Sequence, residues 1–358
     1  MKGVSDKLKI IILSGITISE LAVLSYILSV IFNVNFSNNK TGMFLAHDKF
    51  NQDWYLPEIP IQFIRSSNNS LLQVELVPNY IQYFEGYQAK LPRRTLVKIN
   101  SDGLRDYDHL IEKPNDTIRI LIVGDSQEFG WGVELEESYP KVLERLLNEN
   151  CNGKKYEVIS LAVPGYDIWQ KVELFRVKGL KYSPDIIILG LGTDDLVSSS
   201  LLKNELSLAD KNIINEFIKL RESGKNLSSE DIEKIKIKNH LDIVAKQNAI
   251  VSNLNKTEIL SLVSNAIQQL REIQGNSSIV FFIRILRTPE FKDAIKSISA
   301  ENDWYYIFDD VPCDKYETYE TNKENTVLYP LDLHPNAIGH KKLAYLLYCN
   351  LKKLNLIC

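Results

Sequence analysis

The stretch Ile118-Arg119-Ile120-Leu121-Ile122-Val123-Gly124-Asp125-Ser126-Gln127 decides how this chain folds. Its first part is almost continuously apolar, which is typical of a strand buried on both faces of a parallel sheet. Glycine, aspartate and serine then end the strand and open a helix. Because such a turn exposes the serine hydroxyl beside unpaired backbone N–H groups, we interpret Ser126 as a candidate nucleophile.

Strand and helix patterns alternate along the chain from this point. Apolar runs predict strands at 118–123, 156–163, 185–191, 279–285 and 305–308. Helical spacing of apolar residues predicts helices at 136–149, 168–180 and 337–354. The alternation predicts a three-layer α/β/α fold, in which helices cover both faces of a parallel sheet. Shorter alternating stretches at 72–77, 80–84 and 96–99 predict a β-rich extension before it.

These patterns divide the 358 residues into a cytoplasmic N-terminus (1–9), a transmembrane anchor (10–32), a tether (33–53), a β-rich extension (54–117) and an α/β domain (118–358). A charged, helix-rich insert at 198–275 follows the third strand of the α/β domain. Inserts of this size form either lids over a site or solvated elaborations, and the sequence leaves both open.

The N-terminal apolar segment indicates on which side of a membrane the α/β domain is expected to lie. Residues 10–32 carry one charge, Glu20, and as a helix they would be roughly 34 Å long, enough to cross a bilayer core. Lysines precede the segment more densely than they follow it, which places Met1 in the cytoplasm and the α/β domain outside. The absence of a small-residue cleavage site favours an uncleaved single-pass anchor over a signal peptide. Glu20 indicates either a partner helix or an acid tolerated within the membrane.

Composition excludes several classes of protein. The net charge is −4, with 42 basic and 46 acidic residues, so the sequence predicts no nucleic-acid partner. The four cysteines are too few and too scattered for a disulfide framework, although one disulfide is compatible with export. The five histidines show no metal-ligand spacing, so neither a metal nor a cofactor is expected.

The chemistry-bearing residues follow strand ends, where sites form in parallel sheets. After Gly124-Asp125-Ser126 come Val163-Pro164-Gly165-Tyr166, then Gly192-Thr193-Asp194-Asp195, and finally Asp332-Leu333-His334 before the last helix. Because four such groups occur in order at matching strand ends, we expect them to form one site.

With these motifs the chain resembles the SGNH hydrolase superfamily, also called GDSL-type esterases or lipases, from about residue 99 to 354. The lead-in at 99–105 and the continuation at 129–133 resemble membrane-anchored bacterial envelope members. The resemblance implies a flavodoxin-like fold and cofactor-free ester hydrolysis. It also implies that Ser126 is the nucleophile, that His334 is the general base, and that the N–H groups of Ser126 and Gly165 bind the oxyanion.

Two positions depart from the family pattern. The family acid lies three residues before the histidine, where this chain has Leu331, and Asp332 lies two before. Since residues i and i+2 of an extended chain point to the same side, Asp332 is expected to orient His334, with Asp309 and Asp310 as alternatives.

The second departure lies in the oxyanion hole, where the family asparagine is Asp194. An ionised aspartate donates no hydrogen bond. Three outcomes stay open: a protonated Asp194 that donates, a hole built by Ser126 and Gly165 alone, or an inactive site.

The α/β-hydrolase alternative fails because Gly-x-Ser-x-Gly would need glycine where Glu128 stands. We expect a serine hydrolase acting on O-acyl esters of a cell-envelope glycan or lipid. The alternatives are an O-acyltransferase of exopolysaccharide assembly and a catalytically idle scaffold. A structural role is expected for His340. Surface or ion-pair roles are expected for Arg105, Arg284 and Arg287, with binding of an anionic or sugar substrate as the alternative.

Overall fold

The computed structural model describes residues 62–84, 94–192, 195, 249, 253–284, 288–309, 326–328 and 334–358. The chain divides into two units, one formed by residues 1–58 with 66–74 and the other by residues 59–65 with 75–358. The predicted anchor at 10–32, with Glu20, and the tether at 33–53 lie outside the described residues. Of the helices that the structure does describe, none has the length and apolar character needed to cross a bilayer.

Four short strands precede the main sheet, as the alternating stretches predict. They are β1 (Ile64–Ser66), β2 (Val74–Leu76), β3 (Ile81–Phe84) and β4 (Thr95–Lys98). β1 pairs with β2, and β3 pairs antiparallel with β4. On β4 the burial alternates, so Thr95 and Val97 point inward between exposed or half-buried neighbours.

The main sheet has five parallel strands in the order β6-β5-β7-β8-β9. They are β5 (Thr117–Gly124), β6 (Lys155–Ala162), β7 (Ile186–Leu191), β8 (Ser278–Ile283) and β9 (Tyr305–Phe308). Gly124 pairs with Ala162, and Leu191 with Ile283, so the strands end at one common edge. The predicted parallel α/β sheet is therefore confirmed.

Six α-helices connect or flank these strands in the described part of the chain. They are α1 (Ser126–Phe129), α2 (Tyr139–Asn150), α3 (Ile168–Leu174), α4 (Lys256–Ile273), α5 (Pro289–Asn302) and α6 (Ala337–Lys353). One face of the sheet is covered by α2 and α6, whose apolar side chains share a core with β5 residues Ile120 and Ile122.

The predicted helix at 168–180 is not regular. After α3 the chain forms a π-helical turn at Phe175–Gly179 and a 3₁₀ turn at Leu180–Tyr182. Gly179 lies against the Phe175 ring and the side chains of Leu121 and Leu161, where a Cβ atom would clash. The widened turn thus brings the backbone close to the sheet, which apolar periodicity does not reveal.

The disulfide that the sequence left possible is present, and the structure gives its pairing. A disulfide joins Cys151, at the end of α2, to Cys358, with 5.3 Å between their Cα atoms. Cys349 is disulfide-bonded as well. The sequence did not reveal the pairing because Cys151 and Cys358 lie 207 residues apart, and only the packing of α2 beside α6 brings them together.

Removing the Cys151–Cys358 cross-link is expected to lower the free energy of unfolding by about 3–5 kcal/mol, because the cross-link restricts a long loop of the unfolded chain. Urea unfolding of a Cys151→Ala/Cys358→Ala variant measures this loss. The single variant Cys358→Ala is the control and should lose a similar amount. A loss confined to the double variant would assign the effect to the packing of buried Cys151 instead of the cross-link.

Candidate active site

Ser126 lies where β5 ends and α1 begins, as its sequence context predicts. Asp125 is the N-cap of α1, and its Oδ1 accepts a hydrogen bond of 2.9 Å from the Gln127 N–H. Ser126 therefore occupies the first helical position, whose N–H group has no partner within the helix. Its side chain is half-buried at the carboxyl edge of the sheet.

His334 reaches this serine from the other end of the sequence. Its Nε2 atom lies 2.7 Å from the Ser126 Oγ atom, a hydrogen-bond distance. When the ring proton is on Nδ1, Nε2 accepts the hydroxyl hydrogen, which is the arrangement a general base requires. The structure thus brings together two residues that lie 208 positions apart.

Backbone pairing with residues 326–328 holds the His334 segment in place. The His334 carbonyl oxygen accepts a 2.9 Å hydrogen bond from Leu328, and the Asn336 N–H donates to the Thr326 carbonyl at 2.9 Å. The Asn336 side chain forms hydrogen bonds both to the start of α6 and to residues 326–328. Its Oδ1 accepts from two N–H groups at the start of α6, while its Nδ2 donates to the Val327 carbonyl at 3.0 Å.

Asn336→Ala is expected to cost about 1–2 kcal/mol of unfolding free energy, because it removes a helix cap, and also to lower kcat by loosening His334. Asn336→Ser is the matched control. It keeps the capping oxygen but loses the donor to Val327, so it should recover stability more than kcat. Thermal unfolding and steady-state kinetics of both variants measure the two effects. Equal recovery of stability and kcat by serine would show that the bond to Val327 does not position His334.

An aromatic wall stands beside the histidine. The Trp131 ring lies 5.7 Å from the His334 ring between centroids, and Phe84 packs edge-on against Trp131 at 4.7 Å. Phe63 packs in turn against Phe84 at 5.4 Å. The predicted β-rich extension therefore contributes side chains to the layer behind the site, because Phe84 belongs to β3.

Arg105 fixes the loop that carries Trp131. Its guanidinium is buried and donates to four backbone carbonyls, those of Phe129, Gly130, Val133 and Leu96, at 2.5–3.2 Å. Burial lowers the pKa of Arg105 to about 10. The expected surface or ion-pair role for Arg105 is therefore wrong, since its partners are carbonyl groups of the loop.

The second strand end forms a tight turn at Val163-Pro164-Gly165-Tyr166. The Tyr166 N–H donates to the Val163 carbonyl at 3.2 Å, and Gly165 has φ of +80°. Proline followed by a residue with positive φ is the pattern of a type II turn, which requires glycine at that position. Gly165 is exposed, and its N–H group is not the one that closes the turn.

Glu128 lies directly beneath the nucleophile turn. Its carboxylate accepts hydrogen bonds from the Asp125 N–H at 2.8 Å and from the Tyr139 hydroxyl at 2.7 Å, and it forms an ion pair with Arg284 at 2.9 Å. A Cβ atom on Gly124 or Gly190 would lie within about 2.3 Å of this carboxylate, so both glycines are needed for its close approach. Burial raises the pKa of Glu128, against the opposing charge of Arg284.

A buried lysine completes the polar layer under the site. The Lys171 Nζ atom contacts Asp125 Oδ2 at 2.9 Å and Asp195 at 2.7–2.8 Å, and it donates to the Gly190 carbonyl at 2.9 Å. The three carboxylates of the layer (Asp125, Glu128 and Asp195) thus face two cations, Lys171 and Arg284. Arg284 forms the expected ion pair, but its side chain is buried instead of lying at the surface.

His340 lies in the protein interior, in agreement with its expected structural role. Its Nδ1 accepts a 3.2 Å hydrogen bond from the Tyr139 N–H, and its ring stacks near the Tyr139 ring. Burial, together with the nearby cations Arg105 and Arg284, lowers the pKa of His340 to about 3. The ring is therefore neutral at physiological pH.

Several of the remaining predicted site residues lie outside the part of the chain that the structure describes. Asp332, Asp194 and Arg287 lie outside the described residues, so their predicted roles stay predictions. Asp309, the alternative acid, is buried just after β9, and Asp310 lies outside the described residues. Gly192 donates its N–H to Asp195 Oδ2 at 2.6 Å.

The roles of Glu128, Lys171 and Tyr139 were not predicted from the sequence. Asp195 was noted only as part of a motif, with no separate role. Glu128 counted only against a different serine motif, although a carboxylate three residues after an N-cap aspartate is a capping-box signal. Lys171 falls on an amphipathic helix, where a lysine usually indicates solvent. No local pattern shows that this lysine points into the sheet edge.

The structure thus places a hydrogen-bonded serine–histidine pair at the carboxyl edge of a parallel α/β sheet. The family of GDSL-like lipases and acylhydrolases matches residues 103–347, more than half of the chain. The chain therefore belongs to that family, which confirms the resemblance to SGNH hydrolases and the general expectation of an ester hydrolase.

Solved structures with similar folds come from several bacteria. The psychrotrophic esterase EstA from Pseudoalteromonas sp. is 14% identical, with a TM-score of 0.40 over 67% of this chain and 100% of its own. A Clostridium thermocellum family 3 carbohydrate esterase is 19% identical, with a TM-score of 0.39 over 67% of this chain and 98% of its own. A comparison with curated protein sequences finds no match.

Proposed function

We propose that this protein hydrolyses O-acyl esters through an acyl-enzyme formed on Ser126. The observation that carries the proposal is the 2.7 Å contact between Ser126 Oγ and His334 Nε2. A serine hydroxyl at its ordinary acidity is a weak nucleophile, and a neutral imidazole at this distance is positioned to remove its proton as it attacks.

In the first half of the reaction, Ser126 Oγ bonds to the ester carbonyl carbon while its proton passes to His334 Nε2. The negative charge on the carbonyl oxygen would be stabilised by the N–H groups of Ser126 and Gly165, with Asp194 as the third oxyanion position. The tetrahedral intermediate then collapses, and the alcohol leaves with the proton from His334.

In the second half, water attacks the acyl carbon, gives its proton to His334 and releases the carboxylic acid, which restores the Ser126 hydroxyl. Asp332 would orient His334 from two positions upstream, as the spacing of the motif suggests. The histidine takes and returns one proton in each half, so the cycle needs neither a metal nor a cofactor.

For the substrate, we propose an acyl group on a cell-envelope glycan or lipid, hydrolysed outside the cytoplasm by a domain tethered through residues 10–32. The Cys151–Cys358 bond supports this location, because structural disulfides form and persist in oxidising compartments. The predicted positive-inside orientation of the segment gives the same location.

A serine-reactive phosphonate probe tests the nucleophile. The whole chain should be labelled at Ser126 and should release acid from short-chain aryl esters, and both signals should vanish in Ser126→Ala. Ser101→Ala is the matched control, because its hydroxyl bonds to exposed Asp108 instead of a histidine, and it should be labelled normally. Absence of labelling in the folded wild-type protein would overturn the proposed function.

A further inference from the structure

The ammonium group of Lys171 joins the ends of strands β5 and β7 to helix α3. Asp125, one of its partners, follows β5 and immediately precedes Ser126. The Gly190 carbonyl and Asp195 lie at and just after the end of β7. Lys171 itself sits on α3, which begins directly after the Gly165 turn that follows β6. These three strands are neighbours in the sheet, in the order β6-β5-β7.

Each partner of Lys171 also fixes a backbone segment of its own. Asp125 accepts the ammonium with Oδ2 while its Oδ1 caps α1 through the Gln127 N–H. Asp195 accepts the ammonium and also the Gly192 N–H, at 2.6 Å. A shift of the Lys171 side chain would therefore move the start of the nucleophile helix together with Gly192 and Asp195.

The charges around Lys171 keep its ammonium group ionised although the side chain is buried. Its side chain has no exposed surface, and burial lowers the pKa of its ammonium, but Asp125 and Asp195 outweigh that effect and raise the pKa above its ordinary value. Glu128 adds to this negative charge, while Arg284 contributes a second cation to the layer. The ammonium is therefore charged, and all three of its hydrogens are directed at acceptors.

A second buried lysine forms similar ion pairs but does not lie at the end of a strand. Lys141, on α2, lies 2.7 Å from Asp106 and 2.9 Å from Glu144, and it donates to the Val158 carbonyl at 2.6 Å. It has the same chemistry and nearly the same burial as Lys171, but Val158 lies in the middle of β6 and not at a strand end.

We propose that Lys171 is a positioning residue, whose ammonium holds the start of the Ser126 helix, the end of β7 and the Asp195 carboxylate in one fixed geometry for attack on the ester. The proposal rests on the proposed function for its catalytic meaning. The three hydrogen bonds of the Lys171 ammonium, on which the proposal depends, can be tested without a substrate.

The test compares Lys171→Met with Lys141→Met in the whole chain. Both substitutions keep the length of the side chain and remove the lysine charge from two carboxylates, so both should lower stability. Only Lys171→Met should lower kcat of the folded protein, by about 100-fold, because a displacement of about 1 Å of catalytic groups has effects of this size. KM should change by less than about threefold, since the substrate is not contacted.

A double variant separates positioning from stability. Lys171→Met/Asp195→Asn removes one negative charge along with the cation, so it should recover much of the lost stability. The tether is still missing, so kcat should stay low. Recovery of kcat in parallel with stability would overturn the proposal, because Lys171 would then act only on folding.

Hydrogen exchange gives a readout that does not need activity. In Lys171→Met, amides of peptides covering 124–131 and 187–192 should exchange faster, whereas Lys141→Met should leave them unchanged. Unchanged exchange in Lys171→Met would overturn the positioning role even if the enzyme is active. Faster exchange in Lys171→Met, together with a wild-type protein that hydrolyses no ester, would instead retain the tether and reject the proposed function.

Discussion

His334→Ala is expected to lower kcat for ester hydrolysis by roughly 10⁴–10⁶-fold, the range seen when the base of a serine hydrolase is removed. The physical reason is that Ser126 would lose the only proton acceptor that the described residues place at its Oγ atom, at 2.7 Å. KM should change little, because the imidazole acts mainly in the transition state.

Steady-state hydrolysis of an aryl ester over a range of pH measures this loss. The wild-type rate should follow the protonation of one group, and that dependence should disappear in His334→Ala. His109→Gln is the control, because its ring packs near Tyr182 and contacts Asp106, and it should retain kcat. A His334→Ala variant that keeps more than about a tenth of the wild-type kcat would reject His334 as the base.

Gly190→Ala is expected to have the largest effect on stability, a loss of about 3–5 kcal/mol or failure to fold. A Cβ atom there would lie 2.3 Å from the Glu128 carboxylate oxygen. That carboxylate cannot move aside easily, because Arg284, the Tyr139 hydroxyl and the Asp125 N–H all hold it in a buried position.

Gly192→Ala, two residues further along, is the matched control. The nearest atom to a Cβ atom at that position is the Arg284 carbonyl oxygen at 4.0 Å, so there is space for a methyl group. Urea unfolding of both variants should show a large loss for Gly190→Ala and less than about 1 kcal/mol for Gly192→Ala. If Gly190→Ala also unfolds like the wild type, the Glu128 carboxylate does not occupy this gap in solution.

Much of the fold could be predicted because its strands are locally distinctive. Strands β5, β6, β7 and β8 are mostly buried apolar runs. The predicted limits of β9 agree with the structure at both ends. The pairing of Ser126 with His334 was predicted from a family pattern of residue types, which long separation does not obscure. Helix α5 was missed, although its apolar residues Phe291, Ile295 and Ile298 follow the i, i+4, i+7 spacing of an amphipathic helix.

The polar layer under the site could not be predicted, because its residues become neighbours only in the folded chain. Lys171 and Glu128 look like ordinary helix surface residues in the sequence, yet both are buried where strands β5 and β7 end. Their partners come from separate segments, and only the sheet order β6-β5-β7 makes them neighbours. For the same reason, four cysteines gave no indication that Cys151 would meet Cys358.

The aromatic wall behind His334 also bears on how this protein could have diverged from its relatives. Phe63 and Phe84 precede the part of the chain that matches the family, which starts at residue 103. Leu96, which also precedes it, offers its carbonyl to Arg105. The segment in front of the shared domain thus supplies the aromatic layer behind His334, and exchanging it between relatives would change the surroundings of that ring with the serine and histidine unchanged.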